Sequence, residues 1–128
     1  MNIQVTKLDW KALLNAIDRM DPDAFASFLT EDAVFRFANA EPVKGRGNVR
    51  ENVAGFFSSI KSLNHEALGA WEKDNVITLQ GEVTYVRKDD RAVRVPFVNL
   101  FKMKGTLIRE YLIYVDASQL FAKTIVGA

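Results

Sequence analysis

Residues 42–53 read PVKGRGNVRENV: two glycines in G-x-G spacing, a run of charged side chains, and then the first turn of a helix. Two readings compete for it. A dinucleotide-binding fingerprint would need a third glycine, where the chain has Arg50, and a ribose-binding acid about 20 residues further on. That fingerprint is incomplete. A helix entry accounts for the segment residue by residue, since Gly45 and Gly47 let the chain turn sharply, Asn48 caps the first turn, and Glu51 answers it from the third helical position. The segment is therefore read as a structural connection, and what lies on either side of it decides the fold.

Upstream, the spacing is helical. Thr6-Lys7-Leu8-Asp9 has the form of a capping box, and Trp10, Leu13, Leu14, Ile17 and Met20 then recur on one face, which predicts a helix over 7–20. Pro22 suits the first position of a second helix, in which Phe25, Phe28 and Leu29 share a face before Thr30-Glu31-Asp32 ends it. Residues 33–37, AVFRF, read as a short strand, and the third helix carries Val53, Phe56, Phe57 and Ile60. From Asn64 onward the period becomes alternating, with strands over 64–73, 75–87, 92–104 and 106–115 and turns at Lys73-Asp74-Asn75, Lys88-Asp89-Asp90 and Lys104-Gly105-Thr106. Helices first and an antiparallel meander after them is the order of an α+β layer structure. About three N-terminal helices are expected to pack on the concave face of a curved, mostly antiparallel sheet. No repeat, low-complexity tract or linker interrupts the pattern, so residues 1–128 are expected to form one domain.

A chain of 128 residues can bury roughly two thirds of its unfolded surface without staples. The absence of cysteine removes disulfide frameworks, thiol catalysis and zinc–thiolate sites, and no metal-ligand spacing is present; no metal and no cofactor is expected. With 17 basic against 16 acidic side chains interspersed along the chain, there is no polybasic field to release counterions, and nucleic acid is not an expected partner. Arg36, Lys44, Arg46 and Arg50 are read as solvated surface. No leader pattern is visible and no apolar stretch approaches the ~20 residues of a membrane span, so no membrane association and a cytoplasmic location are expected.

The strand VRVPFVNLFKM places Val93, Val95, Phe97, Asn99, Phe101 and Met103 on one face, with Asn99 as its polar member. A buried amide without partners costs on the order of 1–3 kcal/mol, so the fold either satisfies Asn99 locally or opens a ligand cavity beside it. Its neighbour depends on the turn at Asp89-Asp90. A two-residue turn pairs Asn99 with Gln80 and turns Gln80, Glu82 and Thr84 inward; a three-residue turn with Asp90 left-handed pairs Asn99 near Leu79 and turns Leu79, Val83 and Tyr85 inward. His65 is the default general-base candidate, because imidazole is the side chain that ordinarily titrates near neutrality, although its place near a strand start also suits a surface or edge residue. Asp116 is either a carboxylate with a catalytic role or the cap of the ASQLF turn, and the cap is the preferred reading. Tyr111 and Tyr114 fall on opposite faces of the last strand, so at most one lines an interior pocket.

The segments FLTEDAVFRF, EPVKGRGNVRENVAGFF, VNLFKM and GTLIREYLIYVDASQLF, in this order and spacing, resemble the nuclear transport factor 2-like superfamily in its SnoaL-like and ketosteroid isomerase-like branch, over roughly residues 7–122. The resemblance implies a cone-shaped roll with an interior ligand site. It implies little of the family's catalysis. The isomerase carboxylate base falls on Phe37 and the isomerase tyrosine on Leu13, and the Trp-Asp pair of the SnoaL-like cyclases falls on Leu112-Ile113. The isomerase's second oxyanion donor falls on Asn99, which keeps hydrogen-bonding ability.

The resulting expectation is a cone that binds a small apolar, oxygen-bearing molecule, anchored by Asn99 and walled by Phe37, Phe57, Phe97, Leu13 and Tyr111. An enzyme of the isomerase, lyase or cyclase kind, with His65 or Glu82 as base and Asp116 as a weaker candidate, remains open; steroid isomerisation is not expected. The alternative is a dimerisation or protein-interaction module with a filled cone. A homodimer is expected through the outer sheet face, where Val98, Leu100, Leu112 and Tyr114 leave apolar surface opposite the core.

Overall fold

The first helix, α1 (Trp10–Asp18), buries Leu13, Leu14 and Ile17 as the spacing requires, but it is shorter than the periodicity predicts. Asp9 is its cap, accepting from the Ala12 amide at 3.1 Å. Thr6 is not part of a capping box: its amide and hydroxyl donate to the Glu72 carboxylate at 2.9 and 3.0 Å, tying the entry segment to the far sheet edge. The structure is a computed structural model and describes residues 5–123.

Asp21 caps α2 (Pro22–Ala26), with proline at its start and Phe25 buried. Thr30-Glu31-Asp32 does not end that helix. These residues belong to β1 (Leu29–Phe37), whose register against its neighbour shifts between Leu29 and Val34. Such an irregularity masks alternation, which is why only its second half reads as a strand in sequence.

The glycine segment is a helix entry, with a different cap. After the short β2 (Val43–Lys44), Gly45 takes φ +92° and α3 (Arg46–Ser59) begins directly. The Gly45 amide donates to the Ala33 carbonyl at 2.8 Å, so β1 fixes the turn and the helix starts before Asn48. Asn48 Nδ2 instead donates to the Lys44 carbonyl at 3.0 Å, and Glu51 pairs with Arg50 at 2.7 Å.

The meander follows as β3 (Ser62–Lys73), β4 (Val76–Val86), β5 (Ala92–Lys104) and β6 (Leu107–Val115). The sheet has six strands in the order β2-β1-β6-β5-β4-β3, all neighbours antiparallel except β1 and β6, which run parallel. The fold is α+β, with the helices packed on the sheet. Asp90 has φ +70° and Leu79 stands opposite Asn99. The hairpin therefore has the three-residue turn, which buries Leu79, Val83 and Tyr85 and turns Gln80, Glu82 and Thr84 outward. Between helices and sheet, Phe25, Phe35, Phe101 and Tyr111 pack ring against ring, the closest pair being Phe101 and Tyr111 at 4.7 Å between centroids.

Candidate functional site

That aromatic cluster is the floor of a cavity of about 160 Å³, bordered by Phe25, Phe35 and Tyr111. Val83, Tyr85, Phe97 and Ile113 rise from the sheet on one side, and Ile17, Val53, Phe56 and Phe57 come from the helices on the other. Ala40 and Asn52 line its exposed rim. Phe56 holds the upper wall together, meeting Phe37 at 5.4 Å and Tyr85 at 6.0 Å between centroids.

Asn99 enters this wall from β5, between Leu79 and Ile113. The described residues contain two buried polar side chains, Thr30 and Asn99. Thr30 is satisfied by Asp32 at 2.8 Å, whereas Asn99 is 2% exposed and its Oδ1 has no hydrogen-bond partner among the described residues. A buried acceptor left unmade destabilises a fold by about 1–3 kcal/mol, so Asn99 brings to the cavity wall a side chain with unused hydrogen-bonding capacity.

His65 stands on β3, the edge strand, on the same face as Leu63, and lines the cavity as well. Its Nδ1 lies 2.6 Å from Asp18 Oδ1, and its backbone amide donates to Asp18 Oδ2 at 3.0 Å. A carboxylate can only accept, so Nδ1 carries the hydrogen, and in the neutral ring Nε2 is left with the lone pair. The Phe97 ring stands edge-on to the imidazole at 5.2 Å and fixes its plane. Tyr85 and Tyr111 add two phenols to the wall. Burial pushes both well above the ordinary tyrosine range, and for Tyr111 the neighbouring Tyr85 and Asp18 push the same way, so both stay neutral donors at physiological pH.

Of the residues singled out in the sequence, Asn99, His65, Phe37, Phe57, Phe97 and Tyr111 meet at the cavity. Leu13 does not; it is fully buried in the core and absent from the cavity wall. Glu82 lies on the outer face because of the three-residue turn, and Arg94 holds it at 2.7 Å together with Glu66. Asp116 is exposed and accepts from the Ser118 amide at 3.0 Å; that bond lowers its carboxyl below the usual range and fits a turn cap. Asp18 was not visible in sequence, since it stands 47 residues from the histidine it orients. Among the described residues no three His, Cys, Asp or Glu side chains group as metal ligands would, and no helix is long and apolar enough to cross a membrane.

A family model described as the SnoaL-like domain matches residues 10–111. Among curated proteins none matches this chain in sequence. Solved structures share the fold at low identity. A protein of ketosteroid isomerase-like fold from Catenulispora acidiphila, in complex with trimethylamine, is 18% identical with a TM-score of 0.81, covering 89% of each chain. A SnoaL-like polyketide cyclase-type protein from Jannaschia is 16% identical with a TM-score of 0.75, covering 93% of this chain and 92% of its own. An M. tuberculosis epoxide hydrolase is 14% identical with a TM-score of 0.74, covering 88% of this chain and 83% of its own.

Proposed function

Since the chain belongs to the SnoaL-like domain family, we propose that its cone binds a small, mainly apolar molecule bearing a hydroxyl group, with Asn99 as the anchor. The observation that carries this reading is the unpartnered Asn99 Oδ1 in the wall of an otherwise largely aromatic cavity. A ligand hydroxyl supplies the missing donor while its hydrocarbon body replaces water against Phe37, Phe57 and Phe97. A volume of about 160 Å³ is close to that of an engineered cavity that takes benzene, so the occupant has one ring, not the four of a steroid. The cavity is the argument against the filled-cone module.

The test compares p-cresol with toluene, two guests of one ring that differ by the hydroxyl. The wild-type protein is expected to bind p-cresol about tenfold more tightly, a difference of ~1.4 kcal/mol. In Asn99→Leu that preference should vanish or reverse, while the melting temperature of the free protein holds or rises because a stranded acceptor is gone. Equal affinity of the wild type for both guests, or a clear loss of stability in Asn99→Leu with the preference retained, would make Asn99 a structural residue.

The outer face supports pairing with a second copy. Trp71, Thr78, Leu100 and Leu112 lie in one cross-strand row, with Val98 and Tyr114 in the next, and Tyr114 is 56% exposed. An apolar patch on a sheet, here crossed by Thr78 and Gln80, is a surface that a second copy can match across a two-fold axis. Sedimentation at tens of micromolar should give a dimer for the wild type and a monomer for Leu112→Arg combined with Tyr114→Glu; a wild-type monomer would refute the pairing.

A further inference from the structure

We propose that Tyr85 holds a second oxygen of the molecule in the cavity, and that the ligands of this protein are one-ring phenols carrying, opposite the hydroxyl, an ether or carbonyl oxygen. This rests on the reading of the cavity as a ligand site with Asn99 as its anchor.

The strand register orders the cavity wall. Inward-facing pairs of β4 and β5 follow one another from Leu79–Asn99 through Gly81–Phe97 and Val83–Val95 to Tyr85–Val93. Phe97 and Val83, from the rows in between, line the cavity together with Asn99 and Tyr85. A ring anchored at Asn99 and lying against Phe97 and Val83 therefore runs along the strands, and the ring position opposite its hydroxyl points towards Tyr85. Phe56 stands edge-on to the Tyr85 ring at 6.0 Å between centroids and holds it in that wall.

Tyr85 has a hydrogen bond to give. The side chain is buried, and its hydroxyl has no hydrogen-bond partner among the described residues. A buried hydroxyl without an acceptor is destabilising, and a guest oxygen at that end of the cavity takes what the protein leaves unused. The other polar groups of the wall do not compete for this role. Tyr111 stands opposite Phe101, on the row beyond Asn99, so its phenol belongs to the hydroxyl end. His65 stands opposite Val83, and with Nδ1 given to Asp18 its neutral ring has only a lone pair left, which an acceptor cannot use. The chemistry of the second oxygen follows from these surroundings. Among the described residues no lysine or arginine lines the cavity, so a carboxylate would lie desolvated among aromatic rings without a counter-charge. An ether or carbonyl oxygen, which is neutral and only accepts, matches a donor that lacks an acceptor.

The test sets 4-methoxyphenol against 4-ethylphenol, guests of one shape that differ by an ether oxygen in place of a methylene, with affinities measured by calorimetry. The wild type should bind 4-methoxyphenol about fivefold more tightly, the size of one net hydrogen bond. In Tyr85→Phe the ratio should reverse, because the ether oxygen then gives up water without a replacement. The melting temperature of the free variant should hold or rise, since the hydroxyl removed had no partner. 4-Hydroxybenzoate should bind the wild type at least ~10-fold more weakly than 4-methoxyphenol, because its charge is buried unpaired. Equal wild-type affinities for the ether and the alkyl guest, or an ether preference that survives Tyr85→Phe, would overturn the Tyr85 contact; a benzoate that binds as well as the ether would overturn the neutral ligand class. If p-cresol is still preferred over toluene in that event, the Asn99 anchor stands alone. A Tyr85-dependent ether preference without any preference for p-cresol would remove the anchor and leave the Tyr85 contact. Should none of these guests bind, both readings fall together.

Discussion

Gly81→Ala should lower the melting temperature by roughly 10 °C or more, taking overpacking at about 3 kcal/mol and a few degrees per kcal/mol for a chain of this size. The reason lies on the neighbouring strand. The register of β3 against β4 shifts between Ala67 and Gly69, and Gly81 is the β4 residue at that point. A methyl group there would sit 2.1 Å from the Glu66 carbonyl oxygen and 3.0 Å from the Ala67 Cα. Both obstacles are backbone in a paired strand and cannot swing aside as a side chain would. The bulge would have to straighten, moving His65 and its Asp18 contact with it. Thermal melts of Gly81→Ala beside Gly47→Ala, whose added Cβ meets nothing within 4 Å, decide the matter. Equal melting temperatures would show that the bulge yields freely.

Phe101→Ala is expected to destabilise by about 3–5 kcal/mol, the range for emptying an aromatic site in a packed core. Phe101 is fully buried, stands edge-on to Tyr111 at 4.7 Å, and is opposite Ile77 and Tyr111 on its two neighbouring strands. Because Tyr111 also borders the cavity, the vacated space opens beneath it, and the proposed binding of p-cresol should weaken along with stability. Chemical denaturation gives the first quantity and calorimetry the second. A loss below ~1 kcal/mol would mean that the aromatic cluster collapses to fill the hole.

The contrast between these positions shows what the sequence could carry. Alternation on β5 marks Phe97, Asn99 and Phe101 as one face, and the structure buries all three. Helical spacing finds Leu13 and Phe57 equally well, since burial of one face is a local property of the pattern. Helix ends were less legible: Asp9 and Gly45 cap where Thr6 and Asn48 had the right chemistry, because contacts to Glu72 and Ala33 outside the helices decide the entry. The β4–β5 register turned on one left-handed residue, Asp90, which either turn type could accommodate. The Asp18–His65 contact joins a helix end to an edge strand, and no periodicity reports on which carboxylate will reach across such a gap.

The parallel pairing of β1 with β6 has a kinetic consequence. β3 to β6 are joined by short turns and can assemble from contacts local in the chain, whereas β1 must find β6 from the other end, after the loop between them has been closed. Docking of β1 thus belongs to the late side of the folding barrier. Phe35 and Phe37 come from β1 and Phe97 and Asn99 from β5, so the cavity has no complete wall until that strand is in place. A molecule that fits the cavity therefore recognises only the finished protein, and it prolongs the native state by slowing the departure of β1 without hastening its arrival.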